Sequence, residues 1–279
     1  MTEEKQPALK LNLDVDEREM LKISRRSFLW AGVAGASAIG GIWWLGAREL
    51  NRGIPWPLRR MLGLNEKIAE GYFRGYRLAP EFPEALATER INGDVGLDGD
   101  VDEKGYVVRV MGLHDMSHAV QEDASSEPAV SVPISAIRAL PAVTMVTELK
   151  CIEGWSVVVK WKGARLRDFA AMCGPQTRSL SAPDIDRKPE DLLPYVALET
   201  PDGSYYVGID IMSALHPQTL LCYEMNGRPL TNEHGAPLRL VIPVKYGVKN
   251  LKRIGSIRFT DRRPRDYWEE RGYYWYAGL

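Results

Sequence analysis

Cysteine is scarce in this chain: three residues in 279, at positions 151, 173 and 222. That is too few for a disulfide framework or a four-thiolate cluster, and an odd count leaves at least one thiol unpaired. No Cys-x-x-Cys-His segment occurs, so the chain attaches no c-type haem of its own. Excess charge is missing too. A formal net charge of −1 gives no reason to expect nucleic acid or an anionic membrane surface as a partner. The globular part has no G-x-S-x-G elbow, no P-loop and no dinucleotide fingerprint. No internal repeat of roughly 20–50 residues is evident, which excludes a solenoid.

What is present is ordinary for a protein with a real core: 45% hydrophobic and 26% charged residues. The length allows one large domain or two small ones. The N-terminus carries the clearest signal of location. "SRRSFLW" (24–30) precedes "AGVAGASAIGGIWWLGA", with no charge between Arg26 and Arg48. A paired arginine before a mildly apolar stretch, with Ser24 ahead of it and Phe28-Leu29 behind, resembles a bacterial twin-arginine export signal. Ala36-Ser37-Ala38 offers small residues to a signal peptidase. The apolar run nevertheless continues through Trp43-Trp44, and the uncharged stretch 27–47 is about 20 residues, enough for a hydrocarbon core of roughly 30 Å. The balance favours an uncleaved anchor. Residues 1–50 therefore read as signal with possible anchor, 51–75 as a basic, proline-bearing linker or short helix, and 76–279 as the globular domain.

Within that domain, short runs rich in β-branched and aromatic residues alternate with Gly, Pro, Asp and Asn. They are 106–113, 143–151, 155–161, 194–200, 204–211, 238–247 and 253–261. Helical candidates are fewer: 133–141, 164–174 and 209–217, the last overlapping a strand. The pattern predicts a strand-dominated α+β domain. The acids at 94, 98, 100 and 102 do not follow the EF-hand spacing and read as a solvated turn. His114 and His118, four apart, would share a helical face but follow a strand and lack a third ligand. The basic, aromatic tail "DRRPRDYWEERGYYWYAGL" has interleaved acids and reads as a packed or solvated segment instead of one that binds a charged partner.

"CIEGWSVVVKW" (151–161) sets a cysteine at the mouth of an apolar run, with Glu153 and Trp155 close behind. With "WKG" it resembles the cofactor-binding segment of the sulfite oxidase-like molybdoenzymes. The closer likeness is to their bacterial branch, of the periplasmic methionine sulfoxide reductase type. "LLCYEMNGRPLTNEHGAPLRLVIPVKYGVKNLKRIGSI" (220–257) resembles the same family's N-G-x-x-L, H/N-G-x-P-x-R and Y-G-x-K-x-x-K pattern, and the likeness spans roughly residues 90–270.

The resemblance implies a sulfite oxidase-like molybdopterin-binding domain and two-electron oxygen-atom transfer. It assigns Cys151 as the thiolate ligand of molybdenum, a role suited to a soft donor. It also implies Asn92 and Thr200 as pterin contacts and His234 as a hydrogen-bonding partner of the cofactor. Arg239 would fork onto the pterin phosphate, and Asn250, Leu251 and Lys252 would form its cradle. His234 matches the sulfite-oxidising branch, where the reductases carry asparagine. Glu153 departs from the arginines that follow the cysteine in animal and plant sulfite oxidases. If 151–155 is a strand, Glu153 shares a face with Cys151, which favours a neutral S-oxide or N-oxide over sulfite. An exported enzyme with no redox centre beyond this cofactor also implies an electron-transfer partner, a haem-bearing membrane subunit or a cytochrome.

Overall fold

In a computed structural model the described residues are 17–279, apart from 52, 74, 100, 104, 122–126 and 279, with side chains described from residue 26 onward. The chain divides into two compact units. The first is N-terminal and contains helix α1 (Glu17–Gly46). From Arg26 to Gly46 this helix is long and apolar enough to cross a membrane. Part of the predicted export signal, the residues before position 17, lies outside the described residues.

The second unit runs from Leu58 onward. It begins with most of α2 (Trp56–Tyr72), so the region read as linker or short helix is a helix of 17 residues. Two sheets follow. One contains β1 (Val107–Met111), β2 (Val130–Pro133), β5 (Tyr195–Glu199), β6 (Tyr206–Asp210) and β10 (Ser256–Thr260), in the order β2-β1-β10-β5-β6. The other contains β3 (Ala142–Lys150), β4 (Ser156–Arg165), β7 (Leu220–Met225), β8 (Arg228–Pro229) and β9 (Arg239–Val241), in the order β8-β7-β4-β3 with β9 also on β7. Among the described residues of these two sheets, β1 and β10 pair in parallel and the other strand pairings are antiparallel. Short helices α3 (Ile134–Ala139), α4 (Leu166–Cys173) and α5 (Ile211–Ala214) fill the connections. The domain is α+β and strand-rich.

Alternation explains which faces are buried. Along β3, Met145, Thr147 and Leu149 point inward while their neighbours are more exposed. The larger core gathers Val108, Val110, Phe169, Leu198, Ile257 and Phe259; a second cluster gathers Met145, Val159, Trp161 and Leu220. Each fully buried side chain of this size contributes roughly 1.5–3 kcal/mol of hydrophobic free energy.

Three sequence expectations change. The run 238–247 is a strand only over Arg239–Val241, because Pro243 cannot donate to a ladder and a 3-10 turn forms at Gly247–Lys249. "LLCYEM" (220–225) is a central strand. The Cys151 motif is not a strand. β3 and β4 pair down to Lys150 opposite Ser156, and residues 151–155 form the loop of the hairpin. Cys151 N–H donates to the Trp155 carbonyl at 2.8 Å and Gly154 N–H to the Cys151 carbonyl at 3.2 Å.

Candidate active site

The hairpin loop opens onto a cavity enclosing about 790 Å³ with its open mouth. Its wall is assembled from distant segments: Asn92, Gly93 and Val95 from one loop, Cys151–Glu153 from the hairpin, Tyr205 from the start of β6, Gly247, Val248, Asn250 and Lys252 from the 3-10 turn region, and Trp268 and Tyr273 from the C-terminal segment. The turn and the hairpin lie close. A Cβ on Gly247 would stand 3.3 Å from the Lys150 carbonyl oxygen and 3.7 Å from Cys151 Cα.

Cys151 is partly buried and forms no disulfide. Its Sγ lies 3.9 Å from Glu153 Oε2, and that same oxygen accepts a 3.1 Å hydrogen bond from Trp155 Nε1. The carboxylate therefore neighbours the thiol, as expected, but through the bend of a loop rather than through a shared strand face. Glu153 itself is exposed. Burial raises the thiol above its ordinary value; the Glu153 N–H counters this and the Glu153 charge adds to it. Arg90 stacks 4.2 Å over the Trp155 ring, outside the cavity wall.

Lys252 is buried, and its ammonium donates to three carbonyls, those of Asn92, Gly93 and Glu233. It thereby ties the 92–93 loop to the cavity, contributing charge and shape more than free donors. Burial lowers it to about 8. Asn250 is braced in the same way: its Oδ1 accepts from Ile242 N–H at 2.9 Å and its Nδ2 donates to the Tyr246 carbonyl at 3.3 Å.

Of the eight residues expected at the site, the cavity thus brings together Asn92, Cys151, Asn250 and Lys252. The other four are not among those lining it. Thr200 is buried in the turn after β5, its Oγ1 donating to Asp202 and bonded with the Tyr205 backbone. There it packs on Gly96, whose φ of +80° and a would-be Cβ 2.4 Å from Thr200 Cγ2 leave room for glycine alone. His234 is buried with Nε2 2.7 Å from Glu89 Oε1. Arg239 stacks 4.9 Å over Trp161 and donates to the His234 carbonyl at 3.1 Å, while its buried Nε has no protein acceptor. Leu251 is fully buried, its carbonyl accepting from Leu240 N–H.

The aromatic wall was not foreseen. Trp268 and Tyr273 meet edge to face at 5.4 Å, and Tyr205 donates to the Val248 carbonyl at 2.7 Å. The segment that carries Trp268 is pinned by Asp266. This buried carboxylate ion-pairs with Lys249 and accepts from the N–H groups of Gly208, Trp268 and Glu269. The density of Trp and Tyr in the tail was the available signal, and composition alone could not separate packing from lining. His114 and His118 stand exposed outside any helix, and no group of three or more His, Cys, Asp or Glu placed to hold a metal occurs among the described residues. Asp100, one of the four acids of the turn, lies outside the described residues.

The chain is similar to several known proteins. A putative protein-methionine-sulfoxide reductase subunit of Azospira oryzae is 33% identical over 225 residues, covering 79% of this chain and 76% of that protein. The protein-methionine-sulfoxide reductase catalytic subunit of Xanthomonas campestris is 29% identical over 196 residues, covering 70% of this chain and 61% of that one. The sulfane dehydrogenase SoxCD of Paracoccus pantotrophus superposes with a TM-score of 0.47 at 16% identity, over 68% of this chain and 46% of that chain. The family model for the oxidoreductase molybdopterin binding domain matches residues 107–268. The chain belongs to that family and is a molybdopterin-dependent oxidoreductase.

Proposed function

We propose that this protein is an exported reductase that removes oxygen from a neutral S-oxide, with Cys151 as the protein ligand of its molybdenum. The observation that carries the substrate choice is Glu153 Oε2, 3.9 Å from Cys151 Sγ, at a cavity whose other walls include Val95, Ile152, Trp268 and Tyr273. An ionised carboxylate repels an incoming dianion such as sulfite. At about 6 Å and an effective dielectric near 20 the repulsion is roughly 5–6 kcal/mol, which water at an exposed carboxylate reduces severalfold. A neutral sulfoxide escapes that penalty and presents apolar substituents to the aromatic wall. Both relatives are named as protein-methionine-sulfoxide reductases, which supports the same substrate class.

The residues fit the cofactor. A soft sulfur lines the cavity together with a buried cation, Lys252, and one braced amide, Asn250. When bound, the cofactor supplies two-electron oxygen-atom transfer, in which a sulfoxide takes up two electrons and two protons and leaves as thioether and water. The chain orients and tunes. Cys151 fixes the metal from the rigid end of a hairpin, and Asn92, Asn250 and Lys252 form the pterin and phosphate side. Thr200, His234, Arg239 and Leu251 support that wall from behind. The unmatched Nε of Arg239 is a donor available to an anion after a small side-chain shift.

Electrons must come from outside. With three cysteines and no haem attachment, the chain takes its electrons from a haem-bearing membrane subunit or a cytochrome. Export by the twin-arginine route suits a cofactor inserted before translocation, and α1 then holds the domain on the periplasmic face of the inner membrane. Arg25→Lys with Arg26→Lys leaves the protein in the cytoplasm; unchanged export refutes this route.

The decisive experiment is steady-state assay of the metal-loaded protein with methionine sulfoxide and with sulfite. Efficient sulfite oxidation without sulfoxide reduction overturns the substrate choice. A folded protein that takes up no molybdenum in a molybdopterin-making host overturns Cys151 as ligand.

A further inference from the structure

Helix α2 is built the wrong way round for a surface helix in water. Ordinarily such a helix buries its apolar stripe and exposes its charges. Here Glu66 is the buried residue, ion-paired with Arg263 at 2.7 Å, and Arg59 approaches Glu269 at 3.8 Å. The apolar residues point out: Leu58 is 43% exposed, Met61 55%, Leu64 49%, Ile68 60% and Tyr72 68%. At 100° per residue these five fall within an arc of about 120°. Exposed Asn65 also falls inside that arc, Lys67 lies about 60° beyond one edge of it, and Glu70 lies opposite its middle. An exposed apolar stripe of this kind, with one asparagine in it, marks an interaction surface.

The covalent neighbour of the stripe indicates its occupant. Residues 47–55 join α2 to the apolar helix Arg26–Gly46. Even fully extended they reach about 30 Å, so a chain anchored by α1 keeps α2 close to the bilayer surface. An amphipathic helix with a leucine, isoleucine and tyrosine face and a lysine beside it is suited to the headgroup–acyl boundary. We infer that the outward face of α2 lies on the lipid surface as a second, interfacial contact beside the anchor. This inference rests on α1 remaining part of the mature chain in the membrane.

The test uses the full chain with its cofactor in vesicles of phosphatidylethanolamine and phosphatidylglycerol carrying a tagged acyl chain, with no other protein present. The photo-reactive residue p-benzoylphenylalanine replaces Met61, Leu64 or Ile68 in turn. Lys67, beside the stripe, and Glu70, opposite it, serve as off-stripe positions, and Val33 reports on α1. The expected result is severalfold more lipid adduct at 61, 64 and 68 than at 67 and 70. Adducts at 33 with none on the stripe overturn the interfacial contact and leave the anchor standing. Adducts on the stripe with none at 33 overturn the anchor and retain the contact. Equal labelling around the helix, or no adduct at any position, overturns the inference.

Discussion

Cys151 sits at the tip of a hairpin, partly exposed, with its backbone bonded inside the loop. Its side chain therefore does little for the fold. Cys151→Ser is expected to lose molybdenum while unfolding within about 1 kcal/mol of the metal-free parent; elemental analysis beside a urea titration separates the two effects. Glu153→Gln removes the charge but keeps a hydrogen-bond acceptor for Trp155. Inhibition by sulfite is then expected to strengthen about tenfold, a change of about 1.4 kcal/mol, with little effect on a neutral sulfoxide. An unchanged inhibition constant for sulfite would show that the carboxylate is fully screened.

Lys245 gives a residue-scale prediction in pH. It is buried with its ammonium 2.8 Å from the Tyr276 ring centroid and 3.3 Å from Asp210 Oδ2, and burial lowers it to about 7. Its unfolded value is near 10.5, so between these limits the unfolded chain binds more protons and stability rises with pH. Lys245→Met is expected to lose that rise, flattening stability between pH 7 and 9.5 by roughly 2–3 kcal/mol relative to the parent. Denaturant midpoints at the two pH values measure it.

At the scale of elements, the 3-10 turn region and the C-terminal segment are joined by the buried Lys249–Asp266 pair. Asp266→Asn leaves a buried ammonium without its counter-charge. It is expected to destabilise the domain by about 3–5 kcal/mol, whereas adding Lys249→Met to Asp266→Asn should recover much of that loss, because the asparagine still offers an acceptor to the Gly208, Trp268 and Glu269 N–H groups. Near-ultraviolet circular dichroism reports whether Trp268 stays ordered in each variant. Element identity was largely legible in the sequence, because β-branched runs between turn residues are local facts. The runs around 106–113, 143–151 and 253–261 became β1, β3 and β10. Where partners decide, local reading failed. The 238–247 run has strand composition, yet only Arg239–Val241, opposite β7, forms a strand, and Lys245 makes an isolated bridge to Gly278. The Cys151 loop was legible as a motif and not as a hairpin, since its bend is set by the pairing of Lys150 with Ser156.

Over the whole molecule, half of the expected site residues line the cavity and the other half are not among its lining. A motif names residues that share a neighbourhood, but which side chain turns inward depends on neighbours far along the chain, such as Glu89 for His234 and Gly96 for Thr200. The reversed polarity of α2 was hidden for the same reason: Arg263, 197 positions from Glu66, and Glu269, facing Arg59, make the charged face the inner one. In the sequence, residues 51–75 showed only basic charge and proline.

Because the cavity wall draws on loops near residues 92, 151, 205, 248 and 268, no fragment of the domain contains a site. The ring closes only when segments more than a hundred residues apart have all docked, which is slow and late relative to local structure. Conversely, release of any one of them opens the wall. Retention of the cofactor is therefore a readout of the cooperative unit as a whole. On warming, its loss is expected to coincide with global unfolding instead of preceding it, and excess cofactor in solution should raise the midpoint by mass action. Hydrogen exchange in the 92–95 and 266–273 segments, followed with and without cofactor, would show both slowing together.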